Sequence, residues 1–391
     1  MFVTTVEAAD WPRWRGADGN GISSEPGWKS DWSEREPEVI WRGEVGVGFS
    51  SVVVSGGKVI TTGNDGEGAD TVYCLNAESG VELWKHRYEA PLDDKFYEGG
   101  PTSTPTIDGD VVYVLAKRGA LKCLSSDDGS VVWEVNVAEL AGVPLPGWGL
   151  GGSVVVEGDL LLVNGGKSGV GLNRKNGELV WKSEPEESGY STPVVVGGEG
   201  RRTGIFSNGK GFSAVDVKTG EVSWSYRWVT RYGVNASDPI VDGSRVFISS
   251  GYGKGCVLLD VSGAEPREVW KSRVLRTQMN PCVLLAGHLY GTDGDEGGKA
   301  PLKCVELETG AEVWSEAGIG TGGVMIADGQ LVVVSARGEL IIAPASAAGF
   351  EPSLRMQVLG GKCWTVPVLA NGLIYCRNAA GELACVDVRG K

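Results

Sequence analysis

A tryptophan returns at a nearly constant interval along this 391-residue chain, and each time it closes a similar short phrase. The phrase is clearest in NAESGVELW, which ends at Trp84, and in DVKTGEVSW, which ends at Trp224. Spacings of 43, 49, 48, 43, 46 and 44 residues separate Trp41, Trp84, Trp133, Trp181, Trp224, Trp270 and Trp314. A period in this range, with short apolar runs inside each unit, is typical of a propeller or another repeat array.

One unit, residues 99–135, can be interpreted strand by strand. GGPTSTPTI predicts an inner strand, VVYVLAK a second, ALKCLSS a third and VVWEVNV a fourth. Short glycine-containing turns separate these runs, as expected for hairpins. Four short strands in this order predict an antiparallel meander, which is the blade of a propeller.

The same pattern predicts eight units. They start near Gly48, Gly99, Trp148, Gly189, Tyr232, Thr277, Gly320 and Gly361. The seventh has Met356 near the tryptophan position, and the eighth has only three strands before Lys391. The segment PEVIWRGEV, which contains Trp41, follows no blade, so we expect it to supply the missing strand and remove the free sheet edges.

We therefore predict an all-β fold, an eight-bladed β-propeller of four-stranded antiparallel blades over residues 37–391. The ring is closed by an N-terminal strand in the last blade. Residues 1–36 form an N-terminal extension, whose tryptophans Trp11, Trp14, Trp28 and Trp32 we expect to pack onto the ring.

The repeated tryptophans are interpreted as packing between adjacent blades, since each buries a large aromatic surface. The glycine before each one supplies a turn residue with positive φ. The cysteines Cys74, Cys123, Cys256, Cys304 and Cys385 share one repeat position, and equivalent positions in different blades lie too far apart for disulfides. We expect these thiols to be small buried hydrophobic groups.

The charge and the termini limit the partners. A net charge of −14 disfavours nucleic acid and anionic membranes. No apolar stretch approaches the roughly 20 residues of a transmembrane helix. Residues 6–10, VEAAD, resemble the cleavage end of a secretory signal, which favours a periplasmic or secreted protein with a signal-peptide remnant. The alternative is a plain disordered N-terminus.

The repeat phrase resembles the tryptophan-docking repeat of quinoprotein-type eight-bladed propellers. The opening WPRWRGADGNGIS, with GFSS and GGPTSTPTIDGDVVYVL, resembles the PQQ-binding-like propellers of planctomycete-type bacteria, which are similar to BamB. The resemblance covers nearly the whole chain. It is specific for the fold and much less so for activity, because one fold supports many functions.

The resemblance implies two alternative functions. The quinoprotein branch implies pyrroloquinoline quinone with calcium, a catalytic aspartate and a disulfide between adjacent cysteines, but this chain has no adjacent cysteine pair. The BamB branch implies a non-enzymatic scaffold that docks partner proteins on loops at one face. This chain departs from it in having no cysteine before Cys74 to serve as a lipid anchor. We favour the scaffold, with no cofactor and a monomeric state, and keep the quinone-dependent dehydrogenase as the alternative.

Candidate site residues lie where inner strands begin, because these positions ring the channel of a propeller. They are Tyr97, Glu98, Trp148, Tyr190, Trp228, Arg231, Tyr232, Asn235, Asp238, Asn280 and Trp364. Aromatic and amide groups suit a small polar ligand or a peptide segment. The alternative is that they bind water and cap the inner strands. Trp228, Arg231 and Tyr232 are of the types enriched at interaction hot spots. The resemblance to BamB implies that the partner is an envelope protein.

Catalytic and metal motifs are sparse. His86 and His288 fall outside the predicted channel mouth, which disfavours a Ser-His-Asp triad. Glu98 and Asp238 could form a carboxylate pair of the glycosidase type, at a separation that the sequence does not give. Acidic turns at residues 64–67 and 293–296 offer oxygen ligands for calcium, although such turns are usually only solvated. We therefore predict no metal site.

Overall fold

The computed structural model describes residues 9–95, 97–198, 202–294 and 299–389. These residues form eight antiparallel sheets, each with four strands of one meander, arranged as the blades of a propeller. A fifth short strand from the N-terminal extension, Ile22–Ser23, pairs in parallel with the innermost strand of the seventh blade. The predicted fold class is confirmed. No helix among the described residues has the length and apolar character needed to cross a bilayer.

Blades are numbered along the chain, and their strands are given from the channel outwards. Blade 1 comprises Val53–Ser55, Lys58–Asn64, Ala69–Asn76 and Glu82–Glu89, and blade 2 comprises Thr106–Asp108, Val111–Leu115, Ala120–Ser125 and Val131–Asn136. Blade 3 comprises Val155–Glu157, Leu160–Val163, Val170–Asn173 and Leu179–Lys182. Blade 4 comprises Val194–Val196, Thr203–Asn208, Gly211–Asp216 and Val222–Arg227.

Blades 5 to 8 follow the same order, except that the outermost strand of blade 8 comes from the start of the chain. Blade 5 comprises Ile240–Asp242, Arg245–Ser250, Gly255–Asp260 and Arg267–Ser272, and blade 6 comprises Val283–Leu285, His288–Thr292, Leu302–Glu306 and Glu312–Glu316. Blade 7 comprises Gly323–Ala327, Gln330–Val334, Glu339–Pro344 and Leu354–Gln357. Blade 8 comprises Val368–Ala370, Leu373–Arg377, Glu382–Asp387 and Glu38–Glu44. One α-helical turn, Val137–Ala141, and one 3-10 turn, Arg231–Gly233, lie between blades.

The ring closes as predicted. The strand Glu38–Glu44 pairs antiparallel with Glu382–Asp387, and Trp41 lies opposite Cys385. Arg377, buried in blade 8, fixes the seam by donating hydrogen bonds to the carbonyl oxygens of Ser50, Thr62 and Gly46 in the blade 1 segment. The first and last parts of the chain are therefore joined both by a β-ladder and by a buried guanidinium.

The repeated tryptophans join neighbouring blades. Trp41 of blade 8 donates from Nε1 to the carbonyl of Ala77 in blade 1, at 2.9 Å. A Cβ added to Gly80, the glycine of the next phrase, would lie 2.7 Å from the Trp41 ring. Equivalent bonds to the following blade are made by Trp84, Trp181, Trp270 and Trp314. The predicted packing is confirmed, and the glycine has a second role, because it leaves room for the indole.

The cysteines are free thiols within buried sheet. Cys74, Cys123, Cys256, Cys304 and Cys385 lie in the third strand of their blades and are almost wholly buried. Burial raises the pKa of the Cys74 thiol to about 12. These side chains pack as small apolar groups, as expected.

Residues 11–25 of the extension cross the end of the channel at which the inner strands finish, and this segment is called the strap. Trp11 exchanges backbone hydrogen bonds with Val54 of blade 1, and the Pro12 carbonyl accepts from Ile107 of blade 2. Further along, the strap contacts blades 6, 7 and 8 through Arg15 to Cys282, Ile22 to Ile326, and Glu25 to Asn371 and Gly372. These contacts therefore connect the strap to five blades, from blade 6 through the seam to blade 2.

Candidate functional site

The channel is open at the face where the inner strands begin, here called the mouth. A cavity of about 250 Å³ lies there. Of the predicted site residues, it brings together Tyr97, Trp148, Tyr190, Asp238, Asn280 and Trp364. It is also lined by residues of the strap and of the loops before blades 1, 5, 6 and 8, among them Trp14, Phe49, Val234, Gln278, Met279 and Lys362. Part of the site therefore comes from a segment outside the repeat.

Aromatic rings form one wall of the cavity. Phe49 lies between Tyr97 and Trp364, with its ring centroid 5.6 Å from each. Trp148 meets Tyr190 edge to face at 5.8 Å. All five rings are half-buried, so each presents part of its surface to the cavity. Such edge-to-face and tilted pairs fix ring orientation at little entropic cost, which leaves the wall preorganised.

Two lysines border the aromatic wall. The Lys362 ammonium lies 4.2 Å from the Trp364 ring centroid and 2.7 Å from Glu98. The Lys117 ammonium lies 4.7 Å from the Tyr97 ring centroid and donates to its hydroxyl. Burial lowers the pKa of Lys117 to about 8. Glu98, predicted as a site residue, therefore holds a rim lysine and does not itself line the cavity.

The floor of the cavity is built on Asp238. Its Oδ2 accepts a hydrogen bond from Trp14 Nε1 at 2.7 Å, and its Oδ1 accepts one from the Thr192 backbone amide at 2.7 Å. Arg15 lies 3.9 Å away, and both side chains are 4% exposed. Burial raises the pKa of Asp238 to about 6 and lowers the pKa of Arg15. The carboxylate therefore anchors the strap to blade 5.

Asp238 also ends a chain of hydrogen bonds that runs around the channel. The backbone amide of Ser51 donates to Thr104 Oγ1, that of Thr104 to Ser153 Oγ, and that of Ser153 to Thr192 Oγ1, and Thr192 continues the series to Asp238. Each of these five residues stands two positions before the inner strand of its blade. Blade 5 thus has an acid where blades 1 to 4 have a hydroxyl, and the strap provides the donors that this acid requires.

A second cavity, of about 300 Å³, lies on the strap side of the floor. Trp14, Thr192 and Asp238 line both cavities and so form the partition between them. The lower cavity carries charged groups that are mostly paired, including Arg202 with Glu157 at 2.7 Å and Arg174 with Asp108 at 3.0 Å. Residues of the strap and of the loops before blades 4 and 5 therefore separate the mouth cavity from the lower one.

Three overlapping stretches of the chain, residues 23–144, 117–236 and 228–316, match a family model described as outer membrane protein assembly factor BamB. The chain belongs to this family. Among curated relatives, BamB of Yersinia pestis is 25% identical over 263 residues, which cover 63% of this chain and 60% of the relative. BamB of Escherichia coli (strain K12) is 32% identical over 98 residues, covering 23% of this chain and 24% of the relative. The matches thus span less than two thirds of these relatives.

Solved structures share the fold at low sequence identity. BamB from Moraxella catarrhalis superposes with a TM-score of 0.67 at 17% identity, over 90% of this chain and 99% of that one. Quinohemoprotein alcohol dehydrogenase from Comamonas testosteroni gives a TM-score of 0.72 at 13% identity, over 98% and 81%. At these identities the likeness shows the fold alone, so a BamB-family chain and a dehydrogenase are equally good geometric neighbours.

Two of the predicted contact residues are buried, which corrects their assignment. Trp228 is 0% exposed, and its Nε1 donates to Ser250 Oγ at 3.0 Å. Asn235 is 0% exposed and donates to the carbonyls of Asn208 and Trp228. Trp228 fills the core between blades 4 and 5, because the chain after Arg227 turns inward over the sheet. Both residues stabilise the loop and are not available to a partner.

The neighbouring residues of this loop remain on the surface. Tyr232 is 62% exposed and lies outside the cavity lining, with φ of 66° and an edge contact to Tyr252 at 5.5 Å. The Arg231 guanidinium lies 5.0 Å from the Tyr232 ring centroid. Contact of Arg231 and Tyr232 with a partner therefore stays a prediction, and the cavity is lined by Tyr252 instead.

Sequence reasoning missed Trp14, Arg15 and Tyr252 as residues at the channel. Trp14 and Arg15 lie in the extension, and no repeat position marks them. One signal was present, since Asp238 departs from the serine or threonine that blades 1 to 4 hold at the same offset. A lone acid in a hydroxyl position predicts a special partner, but not which segment supplies it.

The weaker chemical motifs have structural partners. Asp65 accepts from the amides of Glu67 and Ala69 and pairs with Arg87. Asp293 pairs with Arg276 and Lys303, while residues 295 and 296 of the second acidic turn lie outside the described residues. His86 lies on the outermost strand of blade 1 and His288 begins the second strand of blade 6. Neither histidine lines the mouth cavity.

Proposed function

We propose that this protein is a non-enzymatic scaffold of the bacterial cell envelope, which binds a partner protein through loops at the mouth of the ring. Family membership supports the location and the role, since the matching relatives are named as outer membrane protein assembly factors. For this chain the location and the role are a proposal, because the matches cover less than two thirds of those relatives.

The observation that carries the proposal is a set of exposed apolar side chains on two loops of the mouth face. Leu140 and Leu145, between blades 2 and 3, are 41% and 42% exposed. Val229 and Tyr232, between blades 4 and 5, are 40% and 62% exposed. Loops carried on a rigid scaffold are where binding residues concentrate, and apolar and aromatic groups there supply the energy of association.

The test is affinity capture from detergent-solubilised envelope extract of the source bacterium, with bound proteins identified by mass spectrometry. The double variant Leu145→Glu and Tyr232→Glu places charge on both loops. The matched control is Val180→Glu, since Val180 is 49% exposed on the outermost strand of blade 3, away from these loops.

We expect wild type and Val180→Glu to retain the same envelope protein and the loop variant to lose it. Equal recovery by all three proteins would place the binding surface elsewhere. Recovery of no envelope protein by wild type would count against the scaffold role.

The alternative, a dehydrogenase using pyrroloquinoline quinone with calcium, fits the donor set poorly. A calcium ion needs six to eight oxygen ligands, several of them carboxylates. Asp238 already accepts from Trp14 and Thr192 and lies beside Arg15. Over residues 9–95, 97–198, 202–294 and 299–389, no three acidic, histidine or cysteine side chains cluster as metal ligands would. We therefore propose that the mouth does not bind this cofactor pair.

Calorimetric titration of pyrroloquinoline quinone, with and without calcium, tests this alternative. We expect no calcium-dependent heat of binding. Saturable binding that requires calcium and is lost in Asp238→Asn would reinstate the dehydrogenase.

A further inference from the structure

Among the described residues, the charged groups that line the mouth cavity are each beside a group of opposite charge. Its charged lining residues are Asp238 and Lys362. Asp238 lies beside Arg15, and Lys362 forms an ion pair with Glu98. A ligand that carried net charge would have to displace one of these partners, and an uncompensated buried charge is costly. The cavity therefore favours an uncharged ligand.

Hydrogen-bonding groups remain available beside the aromatic wall. The Gln278 side chain, half-buried in the lining, makes no hydrogen bond with any of the described residues. The Asn280 amide donates to the carbonyls of Gly322 and Trp364, at 3.2 and 2.7 Å. Its own Oδ1 accepts nothing from the part of the chain that the structure describes. Gln278 offers both donors and an acceptor, and Asn280 offers an acceptor.

Together these groups match the surface of a sugar ring. A pyranose presents an apolar face of C–H groups, which packs on aromatic rings, and a rim of hydroxyls, which pair with amides. The cavity of about 250 Å³ is below the roughly 300–1,000 Å³ typical of sites for drug-sized ligands. We propose that the mouth cavity binds a neutral saccharide of one or two rings, stacked on Trp148 or Trp364 and hydrogen-bonded by Gln278 and Asn280.

This site shares loops with the proposed protein-binding surface but uses different side chains. Leu145 and Tyr232 do not line the cavity, and Trp148 and Trp364 do. The two proposals can therefore fail independently, because one is tested by charge on the loops and the other by loss of rings inside the cavity.

The experiment is a titration of the purified full chain, followed by tryptophan fluorescence and calorimetry. The neutral probes are glucose and N-acetylglucosamine, with one ring, and maltose, cellobiose, lactose and N,N′-diacetylchitobiose, with two, each up to tens of millimolar. Glucuronic acid and glucosamine serve as charged sugars. The variants are Trp148→Ala, Trp364→Ala and Gln278→Ala. Val180→Ala is the control, because Val180 is 49% exposed on the outermost strand of blade 3 and does not line the cavity.

We expect saturable binding of at least one neutral sugar of one or two rings. Loss of the ring that stacks, Trp148 or Trp364, should weaken this binding by roughly tenfold or more, and Val180→Ala should leave it unchanged. Absence of binding by every neutral sugar would overturn the proposal, as would stronger binding of a charged sugar. Binding that survives in both tryptophan variants would also overturn it. Circular dichroism of each variant separates loss of binding from loss of fold.

Discussion

The glycine of the repeat phrase has two physical roles, and a matched pair of substitutions separates them. Gly80 has φ of +69°, and a Cβ there would lie 2.7 Å from the Trp41 ring. Gly329 has φ of +70°, and a Cβ there would meet no atom within 4 Å. Alanine at Gly329 therefore imposes only the backbone cost, about 1–2 kcal/mol. Alanine at Gly80 adds the cost of overpacking, about 1–3 kcal/mol.

The measurement is the free energy of unfolding from urea titrations, followed by circular dichroism and by tryptophan fluorescence. We expect Gly80→Ala to lose about 2–5 kcal/mol and Gly329→Ala about 1–2 kcal/mol. A third comparison places Gly80→Ala in a Trp41→Leu background, where the smaller side chain relieves the clash and the extra loss should disappear. Equal losses at Gly80 and Gly329 in the wild-type background would refute the argument, because the glycine would then serve the backbone alone.

Three further predictions concern buried polar groups and the reassigned tryptophan. Burial raises the pKa of Asp238 from 3.8 to about 6. The protonated carboxyl therefore adds about 3 kcal/mol to the free energy of unfolding below pH 4, and this contribution is lost as the pH rises through 6. Asp238→Asn should remove this pH dependence from urea titrations at pH 4 to 7.5, and identical pH profiles would contradict it. Arg377→Met should lower the free energy of unfolding by more than about 3 kcal/mol, because it breaks the hydrogen bonds that Arg377 donates to three carbonyls at the seam. A loss below about 0.5 kcal/mol would show that the β-ladder alone closes the ring. Trp228→Ala should lower the free energy of unfolding by about 3–5 kcal/mol, because it truncates a buried core side chain. The folded variant should still capture the partner. Unchanged stability together with lost capture would restore Trp228 as a contact residue.

Repeat spacing was sufficient to predict the blades, because each blade is a local meander. In residues 99–135 the second, third and fourth strands fall where apolar alternation and glycine turns place them. The inner strand was predicted from residue 99 but comprises only Thr106–Asp108, because residues 99–105 form the loop at the channel. Closure by the Trp41 strand was also predictable, since one unit lacked a strand and one strand lacked a unit. These inferences depend on order along the chain and on two-residue periodicity, which the sequence displays directly.

The candidate site was predictable only in part. Tyr97, Trp148 and Trp364 line the cavity because loops before inner strands converge on the channel of any propeller. Trp228 was misassigned because residue type suggests an interface, whereas burial depends on which way the loop turns after blade 4. Tyr190 and Tyr232 likewise look alike in sequence, but Tyr190 lines the cavity and Tyr232 lies outside it.

The sequence by itself determined the number of blades, their order, the closing strand and the tryptophan joints, because each follows from a pattern repeated at short range. Only the tertiary structure decided that residues 11–25 form a strap across the channel, and that Trp14 and Arg15 meet Asp238 across more than two hundred residues of chain. No local pattern encodes such a contact. Its partners are specified by the shape and charge of a channel that exists only once all eight blades have closed around it.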